Sequence, residues 1–193
     1  RRAPETRFPG ALDDCTAALR WIANHAADFD LDGQRIALCG DSAGGNLAAA
    51  TALRAGRDGP DVSHIALLYP MLDPGCDTES MHVYGRGYLL ARSGVQWSWN
   101  QYLRGPEDAA NPLVALVQAD LAGLPATSVV TAECDPLRDE GEAFAERLLA
   151  AGVEVIARRY AGMVHGFAGL PHITPVAAQA IDELAGDIRR SLA

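Results

Sequence analysis

Residues 36–50 read IALCGDSAGGNLAAA. A short apolar run from Ile36 to Cys39 leads to a serine, Ser42, with Gly40 two places before it and Gly44 two places after it. The residues that follow are small and read as a helix. Strand, sharp turn and helix with a serine at the apex is a way of exposing a hydroxyl at the end of a sheet. A surface turn rich in small residues is the plain alternative. Partners for Ser42 elsewhere in the chain decide between the two.

Upstream, apolar residues recur at helical spacing as Leu12, Cys15, Leu19 and Ile22, with Asp13 and Asp14 suited to the first turn. An Asp32-Gly33 turn then leads into the strand RIALC. The helix after Ser42 is expected to stop near Gly56, with Gly59 and Pro60 in the following loop. HIALLYP at 64–70, SVVTAEC at 128–134 and VEVIARRY at 153–160 read as further strands. GVQWSWNQYL at 94–103, RDEGEAFAERLLAAG at 138–152 and the C-terminal 175–193 read as helices. Strand and helix alternate, which predicts an α/β fold with a mainly parallel sheet of four recognisable strands flanked by helices. Residues 1–193 read as one domain, without internal repeats.

Parallel sheets gather their ligands at the carboxyl ends of the strands. Ser42 follows the first strand, Asp73 the second, Asp135 the third and His165 the fourth. A serine hydroxyl is a poor nucleophile until a base takes its proton and a third group holds that base. Histidine has the pKa for the base, and a buried carboxylate fixes its tautomer. Of five histidines, His25 ends a helix, His64 begins a strand at the opposite edge, and His82 and His172 fall in loops. His165 alone stands just past a strand, next to Gly166. Asp73 and Asp135 compete as the acid. Pro136 suits the start of the next helix, which favours Asp135 on the strand-to-helix turn. The bland reading of Asp135 is a helix cap. Asp139 and Glu140 are assigned to the first turn of the following helix, and Asp41 to local support of the serine turn.

The net charge is −9 over 193 residues, which argues against nucleic acid or an anionic membrane as partner. No apolar run approaches the roughly 20 residues of a membrane span. Cys15, Cys39, Cys76 and Cys134 are scattered without a CxxC pair. Cys39 and Cys134 read as small buried hydrophobes, and the cytosol as the natural compartment. No metal or phosphate-binding motif is present, so no cofactor is implied. Tyr88, Trp97, Trp99 and Tyr102 could line an acyl site, although core packing suits the group better. Met163, Val164 and Phe167 flank His165 and are the candidates for substrate contact.

These motifs together resemble the hormone-sensitive-lipase family of carboxylesterases, on the α/β-hydrolase fold. The likeness lies in RRAPETRFPGALDD at 1–14, GDSAGGNLAA at 40–49, NPL at 111–113, DLAGLPAT at 120–127, DPLRDEGEAFAERL at 135–148 and HGF at 165–167. It implies Ser42 as nucleophile, Asp135 as acid and His165 as base. It also implies hydrolysis of small-molecule carboxylic esters with short to medium acyl chains through an acyl-enzyme on Ser42. Arg2 stands where the family usually has an apolar residue. The family's His-Gly-Gly-Gly segment, which supplies most of its oxyanion hole, is not in these residues. The backbone N–H of Ala43 is the one oxyanion donor assigned. The expectation is therefore a catalytic domain truncated at its N-terminus and weakly active in isolation. A homodimer or a preceding segment would cover the edge of the Ser42 strand. The alternative function is a non-catalytic small-molecule-binding protein on the same scaffold. Receptors of that kind lose the catalytic histidine, and His165 is present. A peptidase or thioesterase would use the same three residues with a different pocket.

Overall fold

The four apolar stretches form one parallel sheet with strands β1 (Ile36–Asp41), β2 (Val62–Leu68), β3 (Thr127–Cys134) and β4 (Val155–Val164), hydrogen-bonded in that order. The computed structural model describes residues 1–56 and 59–193, so positions 57 and 58 of the expected loop after Gly56 lie outside the described residues. Seven helices surround the sheet among the described residues: α1 (Gly10–His25), α2 (Ala43–Ala55), α3 (Glu79–Val83), α4 (Arg92–Tyr102), α5 (Pro106–Ala109), α6 (Arg138–Ala150) and α7 (Pro175–Ser191). No helix among them is long and apolar enough to cross a membrane.

β2 explains why the sheet is covered on both faces. Its side chains alternate, and both sets are buried. Ile65 and Leu67 join one core with Leu12 of α1, Ala48 and Ala49 of α2, Val129 of β3 and Phe144 of α6. Ala66 and Leu68 join the other with Val130 of β3, Tyr160 of β4, Phe167, and Ala180 and Leu184 of α7. Burying a side chain such as Phe144 or Phe167 is worth about 1.5–3 kcal/mol, so the two cores hold the strand ends in fixed positions.

Some expectations are corrected. Of the helically spaced residues of α1, Leu12 and Leu19 are buried, Cys15 is half-buried and Ile22 is 43% exposed. Cys39, on β1, is exposed rather than buried. Cys134 is only half-buried, and all four thiols are free. His82 lies in α3 rather than a loop, where Asp77 and Arg92 bond its two ring nitrogens.

His64 is buried at the amino end of β2, away from the serine. Its Nδ1 is 2.9 Å from Ser191 Oγ and its Nε2 3.0 Å from Ser128 Oγ, which donates to Asp187 at 2.8 Å. Asp187 is also paired with Arg158 and Arg190. This chain of bonds ties α7 to β2, β3 and β4. Burial pushes the imidazole below its ordinary value of 6.5, outweighing the opposite pull of Asp187 and Glu154. The unfolded chain thus binds this proton more readily than the folded one, so the contribution of His64 to folding stability rises with pH until about 6.5. His64→Gln should remove that contribution: in denaturant titrations the stability of the variant relative to the parent should be less favourable at pH 7 than at pH 5.

Candidate active site

Ser42 sits between β1 and α2 with φ +54° and ψ −120°. Its N–H donates to Leu68 O at 2.9 Å, and its own carbonyl accepts from Met71 N at 3.0 Å. The turn is therefore clamped to the end of β2 on both sides of the serine. Two glycines make room for it. A Cβ on Gly40 would stand 2.1 Å from Gly44 O, and one on Gly45 2.8 Å from the Pro70 side chain. Gly44, the second glycine of the sequence pattern, has space for a side chain, so Gly45 carries the packing constraint instead. The Asp41 side chain has no hydrogen-bond partner among the described residues, contrary to its expected role in supporting the turn. Ala43 opens α2, where first-turn N–H groups have no intrahelical partner, and it is exposed.

Three strand ends converge here. His165 Nε2 is 2.9 Å from Ser42 Oγ, and His165 Nδ1 is 2.8 Å from Asp135 Oδ2. Asp135 is fully buried, and its other oxygen accepts from Leu137 N at 2.9 Å. The cap-like bond and the contact with histidine thus coexist on the two oxygens of one carboxyl. A carboxylate accepts only, so it places the imidazole proton on Nδ1 and leaves Nε2 to accept from the Ser42 hydroxyl. Asp73, the rival acid, accepts from Gly75 N at 2.8 Å in a local turn. His165 follows β4 and lies between Gly162 and Gly166, with φ of +70° and +77° that favour glycine.

The flanking candidates separate. Met163 and Val164 are half-buried at the end of β4, with Met163 packed against the second core. Phe167 is 1% exposed and belongs to that core, because the short turn after Gly166 folds its ring inward among Tyr69 and Tyr160. Its side chain is a packing element rather than a substrate contact. Trp99 is buried, Tyr102 half-buried, and Trp97 and Tyr88 exposed. A cavity of about 320 Å³ beside Ala43 is lined by Asn46, Leu47, Met71, Trp97, Trp99 and other residues. Among the described residues no His, Cys, Asp or Glu cluster could hold a metal ion.

Glu140, placed by the sequence in the first turn of α6, has a second role that the sequence did not show. It is buried in the first turn of α6, and one oxygen accepts from Leu72 N at 2.6 Å and Asp73 N at 3.3 Å. Its other oxygen has no partner among the described residues. Glu140 therefore fastens the 71–73 segment, which bonds the Ser42 carbonyl, to the helix that follows Asp135. Burial raises its carboxyl well above the ordinary carboxylate value, outweighing the Leu72 bond, and the charges of Asp73 and Asp135 add to the rise.

A strained serine over a parallel sheet, bonded to a histidine that is bonded to a buried carboxyl, defines the α/β-hydrolase class of active site. The family model for the alpha/beta hydrolase fold matches residues 1–169, and the chain belongs to that family. It is 40% identical over 190 residues to an arylesterase of Saccharolobus solfataricus, covering 97% of this chain and 62% of the relative. It is also 40% identical to a carboxylic ester hydrolase, LipN, of Mycobacterium tuberculosis, covering 100% of this chain and 53% of that one. Among solved structures it is similar to EstE1, a thermostable carboxylesterase cloned from a metagenomic library. The TM-score is 0.97 at 42% identity, over 100% of this chain and 67% of EstE1. The chain thus spans between half and two thirds of the length of these curated relatives.

The Glu140 clamp has a testable sign. A carboxyl with a raised folded pKa supports folding fully below its ordinary value of 4.5, and that support is lost as pH rises. Glu140→Gln should therefore gain stability relative to the parent between pH 4 and pH 8, in denaturant titrations. Glu140→Ala, which strands the Leu72 N–H, should lose about 1–3 kcal/mol.

Proposed function

We propose that the protein containing these residues is a serine carboxylesterase acting through an acyl-enzyme on Ser42. The observation that carries this reading is the unbroken pair of hydrogen bonds, 2.9 Å from Ser42 to His165 and 2.8 Å from His165 to Asp135. Ser42 Oγ attacks the ester carbonyl carbon as its proton passes to His165 Nε2. Asp135 keeps Nδ1–H oriented and balances the imidazolium. The tetrahedral oxyanion takes a hydrogen bond from the Ala43 N–H. His165 returns the proton to the departing alcohol, and a water molecule then repeats the sequence on the acyl group. The esterase names of the relatives support the same reaction class. The cavity beside Ala43 is apolar in most of its lining and suits a small hydrophobic acyl or alkoxy group. Free, scattered thiols support a cytosolic setting.

A fluorophosphonate probe should label the peptide bearing Ser42 and leave Ser42→Ala unlabelled. Asp135→Asn should lower kcat by about 10⁴, because the amide favours the wrong imidazole tautomer. Asp73→Asn should stay within about tenfold, as a local turn residue would. In a p-nitrophenyl ester series, kcat/KM should decline beyond medium acyl length. Persistent labelling of Ser42→Ala, or a larger loss at Asp73 than at Asp135, would contradict the assignment.

A further inference from the structure

Two hydrogen bonds hold His165 at its ring nitrogens, yet a ring held at two points can still swing about the line between them. Its backbone is held on either side, at Gly162 N by Glu133 and at the Gly166 carbonyl by Gly169 N, but those bonds do not fix the rotation of the ring about its side-chain bonds. Something must bear on the ring itself. Tyr69, just past β2, does so: its ring centroid is 4.8 Å from that of His165 with the planes at 60°, an edge-to-face arrangement. Behind it, Tyr69 packs on Phe167 at 5.9 Å, and Phe167 on Tyr160 at 5.3 Å. Tyr160 donates to Glu183 of α7 at 2.7 Å, so the stack is anchored in the second core.

Tyr69 also holds an unusual backbone conformation, with φ +36° in the region that favours glycine. It lies between the Leu68 carbonyl that binds Ser42 N and the Met71 N–H that binds the Ser42 carbonyl, while its own N–H donates to Val130 O at 2.6 Å. The fold keeps a bulky ring where glycine would be relaxed. Its hydroxyl has no hydrogen-bond partner among the described residues, so the contact with His165 is made by the ring. Burial pushes the phenol up to about 12, with Asp41 and Asp135 adding to the rise, and the ring stays uncharged.

We infer that Tyr69 is a positioning residue for His165, a strained and buried ring that keeps the imidazole aligned between Asp135 and Ser42. This rests on the reading of His165 as general base. A misplaced base slows proton transfer in the transition state while leaving ground-state ester binding alone, so the loss falls on kcat.

The experiment compares Tyr69→Phe, Tyr69→Met and Tyr69→Gly with the parent, using a p-nitrophenyl ester for kcat and KM. Thermal midpoints and the downfield His165 Nδ1–H proton resonance are measured alongside. Tyr69→Phe keeps the ring and should hold kcat within about threefold with the resonance intact. Tyr69→Met fills similar space without a rigid ring. It should lose about 10²-fold in kcat at near-constant KM, with the resonance broadened. Tyr69→Gly relaxes the backbone and should lose kcat as well. A folded Tyr69→Met with parental kcat overturns the inference, as does a Tyr69→Phe that loses as much as Tyr69→Met. Ser42→Ala and His165→Ala run in parallel separate the two levels. If they abolish turnover while Tyr69→Met does not, only the positioning role falls. If they retain turnover, the hydrolase reading falls with it.

Discussion

Ser42 is held at φ +54°, a conformation that costs an L-residue on the order of 1–3 kcal/mol and persists only where its surroundings over-determine it. Here the surroundings are specific. β2 grips the serine by its N–H and by its carbonyl, and the absence of a Cβ at Gly40 and Gly45 lets the turn close against Gly44 and Pro70. Relaxing the serine would break backbone bonds that belong to the sheet. The sheet's two cores therefore bear the strain, and the hydroxyl is presented at the strand ends instead of lying in the strand.

The same segment that holds the serine reaches His165 and the helix that follows Asp135. Tyr69 contacts His165, Pro70 packs against Gly45, Met71 binds the Ser42 carbonyl, and Leu72 and Asp73 are held by Glu140. Asn46 of α2 adds a bond to the Met71 carbonyl at 2.9 Å. Residues 69–73 form a short bridge under the site, coupling the Ser42 turn to the helix after Asp135 and to the ring of His165. A bridge of this kind fixes geometry at the level of an ångström, on which proton transfer depends steeply.

The strands and long helices were legible in the sequence because each has its own period or apolar run, and the parallel order then aligns Ser42, Asp135 and His165 at one edge. Asp135 could be favoured over Asp73 from Pro136 alone. Glu140 could not be seen, because a glutamate in the first turn of a helix looks like ordinary dipole compensation; its burial depends on the distant 71–73 segment. Tyr69 was hidden for a similar reason, since an aromatic residue ending a strand before proline reads as packing. Phe167 misled in the other direction. Its neighbour His165 faces the serine, but the tight turn at Gly166 carries the next side chain into the core. Contacts between residues far apart in the chain decide the first two, and a local turn decides the third.

The account stands or falls on whether the strained hydroxyl becomes covalently acylated during turnover. Rapid acid quenching of the protein during steady-state hydrolysis of p-nitrophenyl acetate, followed by peptide mass spectrometry, measures this directly. The account predicts the mass of one acetyl group on the peptide containing Ser42, accumulating with a burst of p-nitrophenol and absent from Ser42→Ala. Steady turnover with no adduct on that peptide, or an adduct on another residue that persists in Ser42→Ala, would contradict it.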